Sequence, residues 1–252
     1  MAEEKKKRIV AADTGEEVEA GSKKKEGMTA AAPVGNATGL RIGAIALWVA
    51  ALAFEVLALL VVLGKINMRF MPTLAQIIIL LVLDLACVII GAQLWKKANH
   101  ISPASEKNKV LFWLWNNMGV IVCAVAFIPF IIIVLASKDT DKKTKVIATV
   151  VAVIALLIGG AASIDYNPVS IEQKEAAMEA IQDDVYWTHY GHVYHTHDDC
   201  QALNHSDELV YGSVEEAIAA NRTRLCKFCA ARDEITGVVT DGAVEEVAEP
   251  AA

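Results

Sequence analysis

Four long apolar runs, separated by short polar stretches, dominate the first two thirds of the chain. A bilayer core of about 30 Å takes roughly 20 residues of helix, because backbone groups in lipid must bond within their own segment. The runs predict membrane helices over about 41–64, 73–95, 110–136 and 146–164. The third is the clearest, with no charged residue between Lys109 and Lys138. Trp95 followed by Lys96 and Lys97 suits the end of the second, and Phe112, Trp113 and Trp115 suit the start of the third, as interfacial aromatics and snorkelling bases. Loops of about 8–14 residues imply two helical hairpins. After Ile164 the pattern turns polar. Asn167-Pro168 ends the last helix, and Ser170-x-x-Gln173 reads as a capping box opening a short helix to about Asp183. From Val185 the run VYWTHYGHVYHTHDDC favours strands, with Tyr190-Gly191 as a two-residue hairpin turn. Ser213-x-x-Glu216 caps a further short helix, SVEEAIAAN, ahead of Leu225-Cys226-Lys227-Phe228-Cys229.

This predicts an α-helical membrane protein of four transmembrane helices plus a small α+β zinc-stabilised C-terminal domain. The expected divisions are a disordered tail over 1–39, a four-span domain over 40–165 and a helical linker over 166–184. A ββα-like module over 185–231 and an acidic disordered tail over 232–252 complete the chain.

Composition sharpens the picture where charge is segregated. Apolar residues make up 55% of the chain and charged residues 21%, at a mean hydropathy of +0.40. These coexist because the charges collect in the ends and loops. The net charge of −7 comes largely from the final stretch, where six acids and no base follow from Asp233 onward. Such an end gives no reason to expect nucleic-acid binding. The first apolar run begins near residue 40 and is too long for the core of a signal peptide. An even number of spans puts both termini on one side. Nine Lys/Arg flank that side against six on the other, so the positive-inside rule expects both termini in the cytoplasm.

Two acids interrupt the apolar runs, Glu55 and Asp84. A charge at the bilayer centre costs about 2.5–3.5 kcal/mol on insertion scales. Both lie near mid-span in antiparallel neighbours, where they could share a polar site with Asn116 and Asn117 of the third run. The pair reads either as an interhelical polar clamp or as part of a proton or cation path. Gly39-x-x-x-Gly43 and Gly159-x-x-x-Ser163 offer small-residue packing faces. Cys87 and Cys123 read as small buried hydrophobes.

The other three cysteines lie together in the polar end. A module of about 45 residues buries too little apolar surface to be secure alone. Cys226-x-x-Cys229 can place two thiolates on one ion, Cys200 supplies a third, and His195, ending the second predicted strand, a fourth, with His197 as its competitor. Four protein ligands would make a closed, structural Zn²⁺ site without room for a catalytic water. Lys227 and Arg224 would offset its negative charge. His189, His192 and His205 read as exposed strand or loop histidines, and His100 as a loop residue beside the membrane.

Tyr194-His195, Cys200, Glu215-Glu216-Ala217, Cys226 and Cys229 follow one another in an order that resembles a small bacterial module related to the metal-binding domain of the Ada DNA-repair protein. The resemblance covers roughly 185–230, under a fifth of the chain. It implies a bacterial protein with a structural metal site. It does not carry over methyl transfer: Ada uses a four-cysteine site with a reactive thiolate, and a histidine stands in one of those places here. The four-span region resembles no named transporter or enzyme family, and the chain contains no catalytic constellation.

The expectation is therefore a non-enzymatic protein of the bacterial inner membrane. It displays a zinc-stabilised interaction module at the membrane face as an adaptor or sensor, with the bilayer and an unidentified protein as its partners. The alternative is a small transporter or ion- or proton-conducting protein using Glu55 and Asp84.

Overall fold

Alternation of small and bulky residues along each apolar run sets which helix faces meet. The structure, a computed structural model, describes residues 7–18, 35–67, 71–138 and 140–242. It divides into two units: one of residues 37–99 and 107–166, and one that gathers the segments before, between and after them.

The first unit is a helical bundle of α1 (Ala37–Val62), α2 (Thr73–Ile101, apart from its last two residues), α3 (Lys109–Asn116), α4 (Met118–Ala136) and α5 (Lys142–Ser163). Ala148, Ala152, Ala155, Gly159 and Ser163 form the buried stripe of α5. Ala44, Trp48, Ala51, Glu55 and Ala58 form much of that of α1. These spacings of three and four place each set on one helix face. Small side chains let the backbones approach. A methyl group on Gly119 would lie 2.6 Å from Ala92 Cβ, and one on Gly159 2.9 Å from Cys123 Sγ. The Gly159–Ser163 pair thus packs on α4, as its spacing implies.

The outer face is apolar. Ile42 and Val49 on α1, Ile132 on α4 and Leu157 on α5 are each at least 60% exposed. A water-soluble bundle would show the reverse pattern. The four helices α1, α2, α4 and α5 are long and apolar enough to cross a membrane.

Three features of the bundle depart from the sequence reading. The third apolar run is two helices: the chain breaks at Asn117, which caps α3 by donating its N–H to Trp113 O. Phe112, Trp113 and Trp115 therefore sit on the short α3. Here Trp115 packs tilted against Trp95 at 5.1 Å between ring centroids, Trp95 against Trp48 at 5.3 Å, and the Arg41 guanidinium lies over Trp95 and Trp115. Helix α2 runs on to Ile101, so His100 is a buried helical residue and not a loop residue.

The second unit holds residues 7–18, 100–106 and 167–242. Its six-stranded sheet has the order β2-β1-β5-β3-β4-β6. The strands are β1 (Arg8–Ala11), β2 (Glu17–Val18), β3 (Val185–Trp187), β4 (Val193–His195), β5 (Glu208–Gly212) and β6 (Arg224–Leu225). Helices α6 (Ile171–Ala180), α7 (Val214–Ala219) and α8 (Lys227–Arg232) complete it. Both predicted capping boxes are present: Ser170 with Gln173 opens α6, and Ser213 with Glu216 opens α7.

The expected divisions need correction in this unit. Residues 8–18 are not a disordered tail. β1 runs parallel to β5, pairing Ile9 with Leu209 and Val10 with Val210, and Ile9 is buried in the unit's core. Residues 19–34 lie outside the described residues. Helix α6 is more than a linker, since Val169, Ala177 and Ile181 belong to the same core. The two-residue turn at Tyr190-Gly191 is instead a loop over 188–192, because the register pairs Trp187 with Tyr194. The acidic end stays ordered to Gly242. Ile235 and Val238 pack on the core, and Leu225 and Asp241 donate N–H groups to the carbonyls of Val239 and Leu225. Residues 243–252 lie outside the described residues. The ββα-like module is thus part of a larger sheet, in which β1, β5 and β6 join the predicted hairpin.

Ile9→Asp should detach β1, since an unpaired carboxylate buried in that core costs on the order of 3 kcal/mol or more. Hydrogen exchange of the full chain should then rise at residues 8–11 and 208–212 and stay unchanged in the bundle. Unchanged protection of 8–11 would mean that β1 contributes nothing to the sheet.

Candidate metal centre

The parallel pairing of β4 with β6 brings two distant segments into register. Tyr194 lies opposite Leu225, and Cys226 donates its N–H to Tyr194 O at 2.9 Å. His195 and Cys226, the next residue on each strand, consequently lie side by side. Cys226 is the N-cap of α8, and one helical turn sets Cys229 on the same face. Cys200 arrives from the turn after β4, as the residue before the single 3₁₀ turn Gln201–Leu203.

The ligand atoms of His195, Cys200, Cys226 and Cys229 all lie within 4.8 Å of one another, and all four residues are buried. The Cys200 and Cys226 sulfurs are 3.8 Å apart, as are Cys229 Sγ and His195 Nδ1. A tetrahedral ion with metal–sulfur bonds of about 2.3 Å separates its sulfurs by about 3.8 Å. The four side chains could therefore hold a metal ion with little movement.

The electrostatics suit the binding of a cation. Burial drives the His195 imidazole down to about 4, so it is neutral near pH 7 with a lone pair to offer. Burial, together with the neighbouring cysteines, pushes the Cys200 thiol up. Burial also raises Cys226, partly opposed by the backbone N–H groups of Cys229 and Phe228 that point at its sulfur. Without a cation these buried thiols keep their protons. A divalent ion supplies the charge that makes them thiolates.

The histidines separate cleanly. His197 is bound away from the cluster, its Nε2 2.6 Å from Asp233 Oδ1. His189 is exposed and pairs with Glu208 at 3.0 Å, and His192 is bonded to Asn167 at 3.2 Å. His205 is exposed. Arg232, itself paired with Asp199 at 2.7 Å, lies close enough to interact electrostatically with Cys229, and Lys7 with His195. Lys227 instead lies over the Phe228 ring. Arg232 carries no sequence signal that links it to the site, since only the short α8 brings it there. A cavity of about 230 Å³ opens beside two of the four side chains, lined by Asp199, Cys200, Gln201, Phe228, Cys229 and Arg232.

In the bundle, Glu55 and Asp84 are both buried and close enough to interact electrostatically. Asn116 and Asn117 do not join them. Asn116 is bonded to Asn99 and to Phe112 O, and Asn117 to Trp113 O. Asn99 is 15 residues beyond Asp84 on α2, about 22 Å along the helix axis. The expected four-residue polar site is therefore two separate groups. Comparison with protein-family models, curated proteins and solved structures finds no match for this chain.

Proposed function

We propose that the chain is a multi-pass protein of the bacterial inner membrane that displays a zinc-stapled recognition module at the cytoplasmic face, acting as an adaptor or sensor and not as an enzyme. The observation that carries this reading is the buried His195, Cys200, Cys226 and Cys229 set. Three sulfurs and one imidazole nitrogen at tetrahedral spacing suit Zn²⁺, and four protein ligands leave no position for a reacting water. Zinc in such sites contributes about 10–16 kcal/mol of apparent binding energy. That is enough to fix the two-residue β6 and the six-residue α8. The half-exposed Phe228 and the Arg232–Asp199 pair beside the adjacent cavity supply an apolar and a charged contact for a protein ligand.

The membrane placement draws on the apolar exterior of the bundle and on connectivity. The segments before α1, between α2 and α3, and after α5 all belong to the sheet unit. Four crossings return the chain to the same side at each of those three points. Within the bundle, Thr140 donates to Val62 O at 3.1 Å, bringing the connection between α4 and α5 against the end of α1, as four crossings require. The cytoplasmic assignment rests on the excess of Lys/Arg, and the bacterial setting on the resemblance of residues 185–230 to a bacterial module.

The full chain purified in detergent should contain one zinc per chain, and Cys226→Ser with Cys229→Ser should abolish it. Protease resistance of residues 185–242 should fall with the metal while the bundle stays intact. A folded, metal-free parent would sink the reading.

Zinc uptake should release at least two protons per ion near pH 7. Cys200 and Cys226, whose thiols burial raises, each surrender one, whereas His195, held near 4, is already deprotonated. Apparent affinity should therefore fall as pH drops, by about 100-fold per unit or more. A pH-independent affinity in a weakly buffered titration would exclude thiolate ligation.

Single cysteines at Ile66 and Lys138 should react with a membrane-impermeant thiol reagent on intact cells. One at Lys107 should react only after permeabilisation. Equal reactivity at all three would refute the four-crossing topology.

A further inference from the structure

Asp84 is fully buried in the bundle, and neither of its carboxylate oxygens has a hydrogen-bond partner among the described residues. A bare carboxylate in such a place is among the costliest groups a protein can bury. Glu55, on the facing stripe of α1, is the charge that acts on it. Glu55 is itself buried, beside the backbone of Phe130, one residue after the Pro129 that interrupts the hydrogen-bond ladder of α4.

The remaining titratable groups near Asp84 are Cys87 on α2 and Cys123 on α4. The buried stripe of α5 has none, being Ala148, Ala152, Ala155, Gly159 and Ser163. No lysine, arginine or histidine is among the groups acting on either acid. Two carboxylates this near one another in an apolar setting cannot both ionise without a counter-charge.

We propose that Glu55 and Asp84 form a proton-exchange site inside the bundle, in which two neighbouring carboxyl groups carry one proton between them as a pair, bound to one or the other. On loading, a proton from water adds to an oxygen of one carboxylate, which removes the repulsion between the two charges. On unloading, the same O–H bond breaks and the proton returns to water. Nothing is oxidised or reduced. A metal ion fits the site less well. Among the described residues, the His195 cluster is the only set of three or more His, Cys, Asp or Glu ligand atoms within 4.8 Å. Glu55, Asp84 and Cys123 therefore offer no preassembled shell, whereas a proton needs a single oxygen. The site shares no residue with the metal centre, so either can fail without the other.

The test is infrared spectroscopy of the full chain in lipid vesicles, titrated from acid to alkaline pH in H₂O and D₂O. The wild type should show a protonated-carboxyl band near neutral pH, where exposed acids are ionised. That band should shift in D₂O and bleach as the pH rises. Asp84→Asn should lose it. Glu55→Gln should keep a band that bleaches at lower pH by about one unit or more, because the neighbouring negative charge has gone. Absence of the band from the wild type, no shift in D₂O, or an unaltered titration in Glu55→Gln would each overturn the proposal. The wild-type result stands even if Asp84→Asn fails to fold.

Discussion

Strand β6 is two residues long, and its ladder with β4 supplies too few hydrogen bonds to hold it in place. What ties it there is the meeting of His195 with Cys226 and Cys229, and of Cys226 with Cys200. Several segments of the sheet unit converge on that meeting. Through β6 it fixes the stretch from Val239 to Asp241, whose carboxylate accepts from the Lys227 N–H at the start of α8. Through Cys200 it fixes the turn that carries the chain from β4 towards β5. A parallel pair such as β4 and β6 needs a long crossover, and here the crossover contains β5 and α7. One side-chain cluster thus closes a loop of thirty-odd residues.

A second closure is longer still. β1 pairs with β5 across about two hundred positions, so the chain folds its beginning onto its end with the membrane-length helices in between. This is a constraint of connectivity: a protein whose two ends share a sheet has an even number of crossings. It also explains why Lys7 reaches Asp198 O and Arg8 reaches Glu208. These pairs decorate a junction whose stability lies in Ile9 and Leu209, because exposed ion pairs contribute little.

The sequence announces what is local. The capping boxes at Ser170 and Ser213 were legible because a cap is written within four residues. The four apolar runs were legible because lipid demands about twenty residues at a stretch, and the Cys-x-x-Cys because one turn suffices to aim two sulfurs. What the sequence hides is long-range. Nothing in RIVA marks it as a strand rather than part of a charged tail until ELVYG, paired with β3 on one edge, is seen to take it as a partner on the other. The five-residue loop after Trp187 looked like a two-residue turn because Tyr190-Gly191 is good turn chemistry, but register is set by the strand beyond. Asn117 interrupts an unbroken apolar run, and there the asparagine side chains bonding back to Phe112 and Trp113 carbonyls compete with helix continuation. Proximity of Glu55 to Asp84 was legible from mid-span depth. The exclusion of Asn116 was not, because depth in an apolar run is misjudged once that run proves to be two helices.

Lys174 shows how the closures combine within the sheet unit. It is buried in α6, and burying a lysine is costly unless its ammonium is paired and hydrogen-bonded. Two of its three donors find Ile101 O at 2.9 Å and Glu215 at 2.7 Å. Glu215 belongs to the first turn of α7, inside the crossover that the His195–cysteine cluster closes, and Ile101 is the last residue of α2. One partly buried ion pair therefore joins the segment leaving a membrane-length helix to that crossover. Loosening of the cluster would loosen α7, and with it the counter-charge that makes the burial of Lys174 tolerable. A disturbance at the His195–cysteine cluster has by this route a physical means of reaching residues 100–106.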